Sequence, residues 1–383
     1  MSAAGGAELL DLADMLAVRL DERATEAEQR RQLHDETLAE CEPLWPLVVP
    51  TSLGGAGGSL GDLLEITRRL SYGCPASGWT ISFLVMHSWL VAKLPGAADV
   101  LSPGRPYVLA PAPLSPSGTL VPTDGGFLVS GEWPWATGVA HAEMVLVHGL
   151  VDGPEFEARF ALLRRADVEV DDVWHTAGMA ATGSHTVRCD GVFVPEALTL
   201  SSDTMLRGQV PIAGDGLERM PTIAVLAMMA ATPALGAAAR AVDLYRAQLA
   251  ERTLAYTLGD RAGEQPAAQI RLATAVADLA AIESRWRAAT VALETAAAED
   301  RVDERLRAHS RLIAAATVRD SRRVVNDIAE GAGARPYFSD QPLQRIQRDV
   351  ETLKGHVIFD WDRAAELAGR VELGAPLGPT DMA

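Results

Sequence analysis

Residues 119–138 read TLVPTDGGFLVSGEWPWATG, and this stretch decides what kind of fold the chain has. Thr119–Val121 and Phe127–Gly131 are short runs of β-formers, and Asp124-Gly125-Gly126 between them is a tight-turn signal. The same texture extends both ways. Tyr107–Ala112 precedes it; Met144–Leu150, Phe160–Leu163, Val168–Val173 and His185–Val194 follow, with Cys189-Asp190-Gly191 as another turn. Beyond these limits the pattern is helical on both sides. The order α, then β, then α argues for a segregated α+β protein and against a doubly wound parallel sheet. The expected units are an N-terminal helical domain over residues 1–112, a middle β domain over 113–215 and a C-terminal helical bundle over 216–383.

Before the strands, Leu9, Leu10, Leu12, Met15, Leu16 and Leu20 form an apolar stripe among charges. After the Pro- and Gly-rich stretch from Pro43 to Gly61, Asp62 is positioned to cap a helix through Leu63, Leu64, Ile66 and Leu70. Pro75–Gly78 reads as a break and Trp79–Leu94 as a largely buried helix. After the strands, four long helices are expected at Thr222–Leu258, Pro266–Ala298, Glu304–Glu330 and Pro342–Val371, which suits an antiparallel bundle.

Composition narrows the function. The 34 basic and 51 acidic residues give a formal charge of −17, which opposes binding to nucleic acid or to an anionic membrane. Cys41, Cys74 and Cys189 share no close spacing, so neither a zinc site nor a disulfide framework is expected, and a reducing cytoplasm fits. The histidines form no HExxH pattern, so no metal is expected. Met1–Leu10 lacks the make-up of a signal peptide. Ile223–Ala239 is apolar but Ala-rich and carries Pro233, so it reads as a core helix and not a membrane span. There is no GxGxxG after a first strand and no GxxxxGK[ST], so no nicotinamide or P-loop fingerprint is present.

Five segments, in order, resemble one family. They are Pro50–Gly55 (PTSLGG), Ser130–Gly138 (SGEWPWATG), Trp174–Ser184 (WHTAGMAATGS), Val192–Glu196 (VFVPE) and Pro342–Asp349 (PLQRIQRD). Together they resemble the acyl-CoA dehydrogenase superfamily, which implies a helical domain, a central β-barrel-like domain and a C-terminal four-helix bundle. Within it, a dehydrogenase carries a Glu base after the Arg-Asp pair of the last helix. Here Arg348-Asp349 is followed by Val350-Glu351-Thr352-Leu353-Lys354-Gly355-His356, with His356 in that region. The Asp-to-His spacing, His87 after Trp79, and the Trp133-to-Gly138 loop are more similar to the two-component flavin monooxygenases. One departure is Thr137, where that branch more often has Ser; Thr keeps the hydroxyl and adds a methyl.

The resemblance implies the oxygenase component of a two-component monooxygenase. It would hydroxylate a phenolic or polycyclic aromatic compound through a flavin C4a-hydroperoxide. Reduced FMN or FAD (FMNH2 or FADH2) would come from a separate NAD(P)H-dependent reductase, and the enzyme would be a cytoplasmic homotetramer. Trp133, Trp135, Thr137, Gly138, Thr182, Ser184 and Arg348 are the expected cofactor contacts. His356 is the expected general base for a phenol, since an unperturbed pKa near 6.5 suits proton uptake near neutrality. His87 is expected to position the substrate hydroxyl, and Thr137 to contact flavin near N5. The rival readings are an acyl-CoA dehydrogenase with bound FAD, an N-oxygenase of an amino sugar, and a non-catalytic member of the fold. Pocket shape is expected to depend on the loop Ser201–Pro221, where no motif guides the reading.

Overall fold

The computed structural model describes residues 3–102, 104–206, 217–255, 257–378 and 381–383. Both Met1 and Ser2, most of the loop Ser201–Pro221, and the expected domain limit at 215/216 lie outside the described residues. The first helical part holds α1 (Ala3–Arg30), α2 (Asp35–Glu40), α3 (Leu60–Gly73), α4 (Pro75–Ala92) and α5 (Ala97–Val100). The expected stripe is buried at Leu16 and Leu20 and half-buried at Leu9, Leu10 and Leu12, while Met15 turns to solvent. The cap of α3 is Ser59 and not Asp62. Ser59 Oγ accepts from the Asp62 N–H while Asp62 accepts from the Ser59 N–H, a reciprocal pair that satisfies two orphan donors. Pro75 opens α4 instead of breaking the chain, because the first helical position needs no N–H.

Among the described residues seven strands follow: β1 (Gly118–Thr123), β2 (Gly126–Ala136), β3 (Met144–Val151), β4 (Ala158–Arg164), β5 (Glu169–Asp171), β6 (His185–Pro195) and β7 (Thr199–Ser201). They make one sheet in the order β5-β6-β2-β1-β3-β4-β7, mostly antiparallel, with β1 and β3 parallel. The Asp124–Gly125 turn closes the β1–β2 hairpin, with Gly125 at φ 75°. Two expectations change here. Tyr107–Ala112 is not a strand, although the Leu109 and Pro111 carbonyls accept from Glu143 and Leu146; Pro111 and Pro113 supply no N–H for a ladder. Cys189–Gly191 is not a turn either: it lies within β6 where the register to β2 shifts, with Gly191 at φ 64°.

The last part holds α6 (Ser202–Leu206), α7 (Thr222–Glu251), α8 (Pro266–Ala298), α9 (Glu304–Gly331), α10 (Pro342–Leu353) and α11 (Trp361–Glu372). Helix α7 is long and apolar enough to cross a membrane, yet it is the core helix of the protein, packed against α3, α4, α8 and α9. It stops at Glu251, short of Leu258. The expected last helix, Pro342–Val371, is two helices. Gly355 follows α10, His356 caps a short 3₁₀ turn, and Asp360 caps α11 through the Arg363 N–H at 3.1 Å. This break lifts His356 off the helix and onto a connecting turn.

Candidate active site

Three hydroxyls meet where β2, β6 and α4 come together. Thr137 Oγ1 lies 2.9 Å from Ser184 Oγ, and Ser184 Oγ lies 2.8 Å from Thr182 Oγ1. All three residues are buried. The loops that carry them are tied by the Gly138 N–H donating to the Thr182 carbonyl at 2.9 Å. Gly138 and Gly183 take left-handed backbone conformations, φ 70° and 49°, which glycine adopts without steric cost. Three hydroxyls share two bonds, so one hydroxyl proton remains for a ligand.

Trp79 joins this cluster to the rest of the site. Its Nε1–H donates to Thr137 Oγ1 at 3.4 Å. Its ring lies 4.5 Å from Phe83, and Phe83 lies 5.3 Å from His87. These three residues repeat every fourth position and form one row on α4. The His356 ring stands edge-on to Trp79 at 5.7 Å. The structure therefore brings Thr137, Gly138, Thr182, Ser184, His87 and His356 around one aromatic row. Trp79 and Phe83 were not singled out from the sequence for this role; the spacing 79, 83, 87 was the available signal.

The two histidines differ in setting. His87 is buried, and its Nδ1–H donates to the Ala110 carbonyl at 2.7 Å. Burial lowers its pKa to about 4, against a smaller raising effect of that bond. His356 is open to solvent, yet protein atoms crowd its ring and lower its pKa to about 4 as well. Its Nδ1 accepts from the Ile358 N–H at 3.3 Å.

Other expected cofactor contacts are placed differently. Trp133 is fully buried inside the sheet, where its Nε1–H donates to the His148 carbonyl at 2.6 Å, so it offers no surface to a ligand. Trp135, two residues on, is 65 % exposed and sits at φ 65°. A bulge between Trp133 and Ala136 separates their directions. Arg348 is not free for a phosphate: it pairs with Glu28 and donates to the Ala177 carbonyl at 2.5 Å. Arg345 is buried against Thr25 and Asp21. Glu351 is held by Arg322 and Asn326, each at 2.7 Å, and by Lys354 at 2.5 Å.

These residues fit a flavin. The spare hydroxyl proton and lone pairs of Thr137, Ser184 and Thr182 match a heteroaromatic edge that both donates and accepts. The exposed Trp135 indole offers a flat apolar face. Among the described residues no group of His, Cys, Asp and Glu is arranged to hold a metal ion.

Residues 228–361 match the family described as acyl-CoA dehydrogenase, C-terminal domain. The chain is 32% identical over 379 residues to a pigment production hydroxylase of Rhodococcus sp. (strain ATCC 21145), covering 97% of each chain. It is 30% identical to the flavin-dependent monooxygenase oxygenase subunit HsaA of Mycobacterium tuberculosis (strain ATCC 25618 / H37Rv), covering 96% of this chain and 95% of that one. The solved structure of XiaF from Streptomyces sp. with FADH2 and glycerol superposes with a TM-score of 0.91 at 26% identity, over 98% of this chain and 97% of that one.

Proposed function

We propose, given that the chain belongs to the oxygenase components of the flavin-dependent monooxygenases built on the acyl-CoA dehydrogenase fold, that its substrate is a phenol or a related hydroxylated aromatic. The observation that carries this reading is the aromatic row Trp79–Phe83–His87, which runs from the hydroxyl cluster and has the His356 ring beside it. An aromatic substrate packs on such a row, and an imidazole at its end meets a ring hydroxyl. The resorcinol and p-hydroxyphenylacetate hydroxylases among the relatives bear names of this chemistry, at 29% and 26% identity.

Reduced flavin, when bound, supplies the electrons that activate dioxygen. The chain's own residues do the rest. Thr137, Thr182 and Ser184 take the polar edge of the flavin, and Gly138 lets the backbone approach it. Trp135 covers a face. The apolar wall of Trp79 and Phe83 excludes water.

The two imidazoles have opposite tautomers in this reading. A carbonyl only accepts, so His87 carries its proton on Nδ1 and keeps a lone pair on Nε2. A backbone N–H only donates, so His356 keeps its proton on Nε2. The lone pair that takes a phenol proton is therefore given to His87, and His356 becomes an N–H donor to an oxygen anion. This moves the base role away from His356. We place the enzyme in the cytoplasm as a homotetramer, supported by its unpaired Cys41, Cys74 and Cys189 and by exposed Ile270, Val276 and Val291 on α8. As an oxygenase component it works with a separate flavin reductase.

The dehydrogenase alternative needs a carboxylate base, and Glu351 and Asp349 are both committed elsewhere. The test supplies chemically reduced FMN or FAD, air-saturated buffer and a panel of phenols. Hydroxylated product without added nicotinamide is expected. No product from any phenol, together with anaerobic bleaching of the flavin by an acyl thioester, would overturn the reading.

A further inference from the structure

The buried carboxyl of Asp349 is unused by the chemistry above. It lies on α10 and is 3 % exposed. Its Oδ1 accepts the Met179 N–H at 2.5 Å, across 170 residues of sequence. Its Oδ2 is buried with no hydrogen-bond partner. Met179 sits at φ 55°, a left-handed conformation that a side-chain-bearing residue rarely takes and that something must hold. The Met179 carbonyl accepts from Trp174 Nε1–H at 3.0 Å and from the Thr182 N–H at 3.1 Å. Next to it, Gly178 is pressed so close to α10 that an added Cβ would lie 2.1 Å from the Arg348 carbonyl oxygen. Residues 348 and 349 thus clamp the start of the turn whose end carries Thr182 and Ser184.

We propose that Asp349 is a positioning residue for the cofactor-facing hydroxyls. By accepting the Met179 N–H it fixes the left-handed turn that aims Thr182 and Ser184 at Thr137. The inference rests on the flavin reading of those hydroxyls. Hydrogen-bond acceptance does this, and charge is not required. The groups facing Asp349 are Glu28 from α1, Cys74 at the start of α4, and Arg345 and Arg348 on its own helix, so the carboxyl has acidic and basic neighbours at once. Burial dominates and raises its pKa to about 7.

The test uses the full chain and anaerobic titration with reduced FMN and reduced FAD. Asp349→Asn keeps an acceptor oxygen for Met179 and is expected to bind flavin within about 3-fold of wild type. Asp349→Ala removes the acceptor and is expected to bind about 10-fold or more weakly while remaining folded by circular dichroism. Wild-type affinity in a folded Asp349→Ala, or equal losses in Asn and Ala, would overturn the proposal. Should Asp349→Ala fail to fold, hydrogen exchange of the wild-type Met179 amide decides. Strong protection is expected, and exchange at the rate of an open loop would overturn the proposal. Failure of the flavin reading is distinguishable, because wild type would then bind neither flavin while the Met179 amide still reports the clamp.

Discussion

Replacing His87 by Gln should change how stability depends on pH. His87 is 2 % exposed, with its Nδ1–H given to the Ala110 carbonyl, and burial lowers its pKa from 6.5 to about 4. In the unfolded chain the ring takes a proton as pH falls through 6.5; in the folded chain it resists until about 4. The unfolded state therefore binds more protons in that window, and stability falls as pH falls from 6.5 to about 4. At about 1.4 kcal/mol per pH unit the complete loss is on the order of 3 kcal/mol, most of it reached by pH 4.5. His356 adds less despite a similar direction, because solvent reaches it. A Gln at position 87 stays neutral throughout. Its amide can still donate to Ala110, so the cost at pH 7.5 should be modest, about 1–2 kcal/mol. Urea unfolding followed by circular dichroism at pH 7.5 and 4.5, at fixed protein concentration, measures both. The variant should lose about 2–3 kcal/mol less than wild type between the two pH values. Parallel losses would refute the reasoning, for they would mean that the His87 ring takes up its proton as readily in the folded protein as in the unfolded chain. That neutrality also matters for function, since only an uncharged ring has a lone pair to offer.

Trp133→Phe removes the donor to the buried His148 carbonyl and should cost about 1–3 kcal/mol in denaturant stability, with flavin affinity unchanged within about 2-fold. A large loss of affinity at intact stability would show that Trp133 faces the cofactor after all. Thr137→Val strands the Trp79 N–H and removes a partner of Ser184, so reduced-flavin affinity and the ratio of hydroxylated product to hydrogen peroxide should both fall about 10-fold. Thr137→Ser should keep both, and equal behaviour of the two variants would contradict the hydroxyl role. Gly178→Ala drives a Cβ into the Arg348 carbonyl and should destabilise by about 1–3 kcal/mol; an unchanged melting temperature would mean that the turn does not pack on α10.

Much of the candidate site is legible in the sequence. Thr137, Gly138, Thr182 and Ser184 fall in the quoted segments, His87 and His356 are marked by their spacing from Trp79 and Asp349, and folding brings them together. Trp133 and Arg348 sat in the same segments and were placed elsewhere. A one-residue bulge decides which tryptophan of the Trp-Pro-Trp run faces the sheet interior, and bulges carry no reliable local signal. Arg348 found Glu28, 320 residues away, a partner no spacing rule identifies. The expected single last helix broke at Gly355, because the Asp360 cap competes with continuation and its strength depends on what α11 packs against.

The order of textures along the chain determined the α+β architecture, since hydrophobic period and turn residues act over a few neighbours and survive without tertiary context. The sequence also carried the hydroxyls, the aromatic repeat on α4 and the chemistry they imply. Only tertiary structure brought the Ala110 carbonyl onto the His87 ring, whereas the Ile358 N–H reaches His356 from the next turn. Only tertiary structure, too, set Asp349 beneath Met179. Hydrogen bonds are short-ranged and directional, so they are settled after the chain has packed.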